Sequence, residues 1–144
     1  MSAQAILLVA HGARDPRWAA PIERLADALA KRVNGSPVRI AYLEFLHPGV
    51  PEALESLYHE GARKVRVVPV FLGAGGHVVN DIAERVAAAR VLRSDLEIAL
   101  EPPIGERPQV TEAIAVAILE KPWSRASSCR APDASAAART GRSP

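Results

Sequence analysis

The chain has 144 residues, 49% apolar and 24% charged, with a net charge of +2 and a pI near 9.0. That length suits one domain with a real core, no apolar run approaches the ~20 residues of a membrane helix, and the single cysteine, Cys129, excludes a disulfide framework or a thiolate metal cage. The basic balance does not point to nucleic acid: residues 122–144 hold Arg125, Arg130, Arg139 and Arg142 against Asp133, a local +3 that leaves −1 for the rest.

"AILLVA" (5–10) is a short continuous apolar run, the pattern of a strand covered on both faces. It is too short for a signal-peptide core and has no basic residue ahead of it, so a cytoplasmic protein is expected. After "HGARDP", Trp18 to Val33 reads as a helix, with Ile22, Leu25, Ala26 and Leu29 at three- and four-residue spacing. Asp15 caps it, and "NGSP" with Gly35 stops it. "VRIAYLEF" (38–45) is the second strand. "HPGVPEALESLYHEG" turns into the second helix, with Pro51 in its first turn and Gly61 at its end. "KVRVVPVFL" (64–72) is the third strand and "HVVNDIAERVAAARVL" (77–92) the third helix. "LEIAL" (96–100) is the fourth strand, and residues 109–120 form the last helix after "EPPIGERP". Trp18 and Tyr58 are expected in packing, and His47 and His59 in no functional role. Residues 122–144 are rich in Ser, Ala, Arg and Pro and cannot bury enough surface to offset their ordering entropy. They are expected to form a disordered tail beyond a domain of residues 1–121.

The order βαβαβαβα predicts an α/β fold: a four-stranded parallel sheet with helices on both faces, because each crossover is right-handed. The expected strand order is 2-1-3-4, a flavodoxin-like half-sheet. Such sheets bind ligands beyond the carboxyl ends of their strands, at the switch point, here between strands 1 and 3. His11 follows strand 1, Glu44 lies near the end of strand 2, and His77 follows strand 3. Their two 33-residue separations are the length of one strand–helix unit. Neighbouring strands lie ~4.8 Å apart, so side chains from their ends can converge.

A His–Glu–His set suits a first-row metal with positions left open for a substrate. A histidine at a strand end also caps a helix or bonds a backbone carbonyl in many folds, and both readings stand for these two. "GAGGH" (73–77) begins like a dinucleotide fingerprint, but Val78 stands where the third glycine belongs and no Lys-Ser/Thr pair follows. Its other reading is close approach of bare backbone to a flat, bulky ligand. "HGARDP" has a histidine after strand 1, as in phosphohistidine phosphatases, but Ala10 replaces the arginine that such a site uses. Arg14 and Arg17 lie at the mouth of the site, where they could meet ligand carboxylates or solvent. A metal or ligand carrier without turnover and a phosphoryl-transfer or nucleotide-binding enzyme are the alternative classes.

"LLVAHGARDP", "AYLEFLHPGVPEAL", "VRVVPVFLGAGGHVVNDI" and "EPPIGERPQVTEAI" resemble, in order from about residue 5 to 120, the small single-domain sirohydrochlorin chelatases of cobalamin and sirohaem synthesis. Ala13 stands where serine is common in that family. The resemblance implies insertion of Co²⁺, Fe²⁺ or Ni²⁺, cobalt first, into sirohydrochlorin, with the metal as substrate and no permanently bound cofactor. It implies His11 as proton acceptor and metal ligand and His77 as the second ligand. Glu44 would contact the macrocycle or help deprotonate it. Leu72, Gly73, Ala74, Gly75 and Gly76 would lie along the ring, with Arg14 on its carboxylates. It further implies a homodimer, since the larger relatives face two such lobes across a cleft, and no membrane or nucleic-acid partner.

Overall fold

The computed structural model describes residues 3–120. The expected tail, 122–144, lies outside them. The elements run β1 (Gln4–Ala10), a 3-10 turn (Pro16–Ala19), α1 (Ala20–Ala30), β2 (Val38–Tyr42), α2 (Val50–His59), β3 (Lys64–Pro69), α3 (Gly76–Leu92), β4 (Glu97–Leu100), a second 3-10 turn (Ile104–Glu106) and α4 (Pro108–Leu119). All four strands are parallel, in the order β2-β1-β3-β4. Register places Ile6 between Val38 and Arg66, and Arg66 beside Ala99.

Most boundaries fall within a residue or two of those the sequence predicts. Three elements differ. The α-helix begins at Ala20, not Trp18, because Pro21 tolerates only the first turn of a helix; residues 16–19 form the 3-10 turn instead. It ends at Ala30, not Val33, where Arg32 and Val33 both donate to the Leu29 carbonyl in a closing turn. The predicted strand 38–45 ends at Tyr42. Leu43 and Glu44 still donate to the Ala10 and His11 carbonyls, but Phe45 takes a positive φ of 63° and turns the chain back. The predicted strand 64–72 stops at Pro69, because its neighbours β1 and β4 end at Ala10 and Leu100 and leave little to pair with.

The alternation of side chains along the strands builds two cores. Leu7 and Val9 of β1 and Val65 and Val67 of β3 face α2 and α3, where they meet Leu54, Leu57, Ile82 and Val86. Leu8 of β1 and Val68 of β3 point the other way, to Ala19, Ile22 and Tyr42. Handedness explains the split. The crossover from β1 to β2 moves one way across the sheet, and those from β2 to β3 and β3 to β4 move the other, so α1 lies opposite α2 and α3. Trp18, expected to pack, is 75% exposed, because the 3-10 turn swings it out of the layer that α1 forms. Tyr58 does pack, with the Arg63 and Arg93 guanidinium groups 4.2 and 4.6 Å from its ring centre. No helix among the described residues is long and apolar enough to cross a membrane.

Candidate functional site

The carboxyl ends of the strands carry the expected residues. His11 is the first residue past β1, the strand between β2 and β3. Its carbonyl accepts the Glu44 backbone N–H at 3.0 Å, and the Ala10 carbonyl accepts that of Leu43 at 3.1 Å. Gly12 makes this approach possible. Its φ is +91°, and a Cβ there would lie 1.9 Å from the Glu44 carbonyl oxygen. The backbone under the imidazole is thus clamped from the neighbouring segment, while the ring itself is exposed. Phe71, just beyond β3, stands edge-on to that ring, 6.4 Å between centres and 79° between planes.

The glycine loop is anchored at one end and open along the rest. The Phe71 carbonyl accepts the Gly105 N–H at 2.9 Å, and a Cβ on Gly105 would lie 2.2 Å from the Leu72 carbonyl oxygen. The turn Ile104–Glu106 therefore holds the start of the loop. A Cβ on Gly73, Gly75 or Gly76 would meet nothing within 4 Å. Those three glycines are not needed to pack this chain against itself, so the space beside them is free for something else. Ala74 is half-buried against Phe71 and Val79 in a small recess. Leu72 projects its side chain outward, 72% exposed. Gly75 caps α3 with extended backbone, and no side chain caps the helix. The positive end of a 17-residue helix dipole thus faces the site, suited to a ligand carboxylate.

His77 is the second residue of α3 and is exposed. Glu44 is exposed as well. All three expected donors share one end of the sheet, but the structure joins only His11 and Glu44, and those through their backbones. Among the described residues no three His, Cys, Asp or Glu side chains gather closely enough to hold a metal ion. The reason is level: His11 sits directly on β1, whereas His77 stands beyond the six-residue loop 70–75.

The two arginines at the mouth separate. Arg17 is spent on Asp15, donating Nε to Oδ1 at 3.0 Å and Nη2 to Oδ2 at 2.6 Å. That side-chain hydrogen bond, with the Arg17 backbone N–H, holds the Asp15 carboxyl below its usual range. Arg14 instead lies over the exposed Phe45 ring, 5.1 Å from its centre. His47 and His59 lie on Glu52 and Glu55, at 3.8 and 3.0 Å, outside the site.

Beside His11 on the α1 side is a cavity of about 350 Å³, walled by Gly12, Trp18, Leu25, Leu46 and Val70. Trp18, Phe45 and Leu72 add exposed apolar surface around this end. An apolar rim with one imidazole, one guanidinium and a bare glycine loop can hold a flat organic ligand and exchange a proton with it. Sequence reasoning missed Phe71, Phe45 and Gly105. Gly105 sits in "PPIGERP", where nothing in the local pattern marks the approach of Leu72 from 33 residues away.

The chain matches the CbiX family over residues 5–121. It is 31% identical over 121 residues to the sirohydrochlorin cobaltochelatase of Saccharolobus solfataricus, covering 80% of this chain and 93% of that one. It is 37% identical over 79 residues to the sirohydrochlorin cobaltochelatase of Methanocaldococcus jannaschii, covering 55% of each. The solved sirohydrochlorin chelatase SirB from Bacillus subtilis subspecies spizizenii, in complex with cobalt, superposes with a TM-score of 0.69 at 29% identity. That match covers 80% of this chain and 49% of SirB, so this chain spans about half the length of SirB and of the M. jannaschii protein. The chain belongs to the CbiX family.

Proposed function

We propose that this CbiX-family chain inserts a divalent metal ion, cobalt first, into sirohydrochlorin. The observation that carries the reading is the pairing of an exposed imidazole on a clamped strand end with a glycine loop whose side-chain space is vacant. Insertion requires two ring N–H protons to leave and ring nitrogens to replace the water on the metal. The macrocycle lies along Leu72, Gly73, Ala74, Gly75 and Gly76. His11 accepts a departing proton and holds the metal in transit, a task for the side chain that ordinarily changes charge near neutral pH. His77 is the second metal contact, and Glu44 helps to hold or deprotonate the ring. Arg14 and the α3 N-terminus take peripheral carboxylates of the macrocycle. Separate exposed donors suit a site that must pass its metal on. The same nitrogen and oxygen donors accept Co²⁺, Fe²⁺ and Ni²⁺, so supply and substrate select among them. The names of the relatives favour cobalt. A homodimer supplies the wall opposite this half-length lobe.

The test is the visible absorption of anaerobic sirohydrochlorin mixed with protein and Co²⁺, beside a protein-free control and His11→Ala. The expected result is an acceleration over the control that His11→Ala lowers by about 100-fold or more, the usual size of an acid–base contribution. Binding of sirohydrochlorin with no acceleration by Co²⁺, Fe²⁺ or Ni²⁺ would replace the chelatase by a carrier.

A further inference from the structure

Among the described residues Phe45 is the one non-glycine residue with a positive φ, 63°. An aromatic side chain crowds its own backbone in that region, which favours glycine and tolerates asparagine or aspartate. The turn around it is tight: the Leu46 N–H donates to the Glu44 carbonyl at 2.8 Å, two residues back. Three-residue turns with a positive central φ are rare and strained. The surroundings hold this one in place. The Glu44 N–H is bonded to the His11 carbonyl at 3.0 Å, and the Glu44 carbonyl lies where only a glycine fits at position 12.

Burial does not explain why a phenyl ring stands at so strained a position. Phe45 is 55% exposed and belongs to neither core. What the ring carries is charge: the Arg14 guanidinium, 5.1 Å from its centre. Arg14 itself is exposed and has no hydrogen bond or ion pair among the described residues. Arg17, three residues on, is by contrast bound to Asp15. A guanidinium resting on a ring keeps its in-plane N–H groups for a planar oxyanion. It also gives up less side-chain freedom when that anion arrives, because the ring has already restricted it.

We infer that Phe45 is a positioning residue: its ring holds the Arg14 guanidinium ready for a carboxylate on the periphery of the macrocycle. The strained turn is retained because it presents that ring on the segment clamped to His11. Backbone strain of this kind persists where a site needs the geometry it gives. The inference rests on the proposed function for the identity of the ligand. Strain and hold have separate signatures. Glycine relieves the strain, so removing the ring stabilises the fold. The hold on Arg14 goes with the ring, so the same substitution weakens the ligand. A phenyl ring that served packing alone would lose stability instead.

The test is equilibrium binding of metal-free sirohydrochlorin to the full chain, followed anaerobically by visible absorption, beside thermal melting of each chain without ligand. Phe45→Leu is expected to raise Kd about fivefold, the size of a cation–π contact at an exposed site, and Phe45→Tyr to restore the unsubstituted value. Arg14→Gln is expected to raise Kd about tenfold or more. With Arg14 gone, Phe45→Leu should add less than about twofold, because the two side chains act as one. Phe45→Gly should bind as weakly as Phe45→Leu yet melt about 2–4 °C above the unsubstituted chain. A Phe45→Leu chain that binds as the unsubstituted one does overturns this inference alone. So do losses at positions 14 and 45 that multiply in full, or a Phe45→Gly chain that melts lower. An unsubstituted chain that binds no sirohydrochlorin overturns the proposed function, and this inference with it.

Discussion

On the side of α2 and α3 the sheet presents Leu7, Val9, Val65 and Val67, none more than 1% exposed, beneath two helices that interlock through Leu54, Leu57, Ile82 and Val86. On the opposite side α1 works alone: Leu8 and Val68 are buried, but Leu25 is 42% exposed and Ile6, Leu29 and Val70 are half-covered. The strand sequences announce the difference only in part: β1 carries aliphatic residues toward both faces, whereas β3 sets Lys64 and Arg66 beside Val68 on the α1 side. A parallel strand that is apolar on both faces needs cover on both. Here the chain itself covers one face fully and the other only in part.

Substitutions on the two faces sharpen the contrast. Leu57→Ala opens a cavity in the sealed core and is expected to cost about 2–5 kcal/mol at any protein concentration. Leu29→Ala, on the half-covered face, is expected to cost about 1–2 kcal/mol, because that side chain is already partly in water. Denaturant unfolding checks both. Equal losses would break the comparison.

The glycines divide in the same way between self-packing and open space. Gly12→Ala adds a Cβ 1.9 Å from the Glu44 carbonyl oxygen at a positive φ, with an expected cost of about 2–4 kcal/mol. Gly75→Ala meets nothing and has ordinary φ, so unfolding should move by less than about 1 kcal/mol. Under the proposed function it slows metal insertion by crowding the ring. A Gly75→Ala chain with full insertion activity would remove the loop from the site.

The smallest expected effect concerns the clasp on the sealed side. Arg93 donates to both oxygens of Glu55, and this hydrogen bond lowers the Glu55 pKa from its ordinary 4.5. A carboxylate with a depressed folded-state pKa contributes stability above its ordinary value and loses it as pH falls through the folded one. The melting temperature should therefore fall below about pH 4.5, and less steeply in Glu55→Gln. The difference should shrink with added salt, because both partners are partly exposed.

The sequence alone determined the element types, their order and the parallel 2-1-3-4 sheet. It also placed His11, Glu44, His77 and the glycine loop at one end of that sheet. These follow from short-range signals: side-chain period, proline and glycine positions, and the handedness of crossovers. The family was legible for the same reason, in contiguous segments such as "VFLGAGGHVVND". Other features depend on residues distant in the chain meeting in space. Only the folded backbone brought Glu44 onto Gly12 and Leu72 onto Gly105, which shows which glycines pack and which stay open. Only the fold spent Arg17 on Asp15, left Arg14 over Phe45, and put Trp18 outside. Periodicity marks a helix that wants burial, as it does for α4, but carries no record of which surface receives it. Only the fold shows that α4 leaves none of its residues buried, because burial depends on which distant residues meet it.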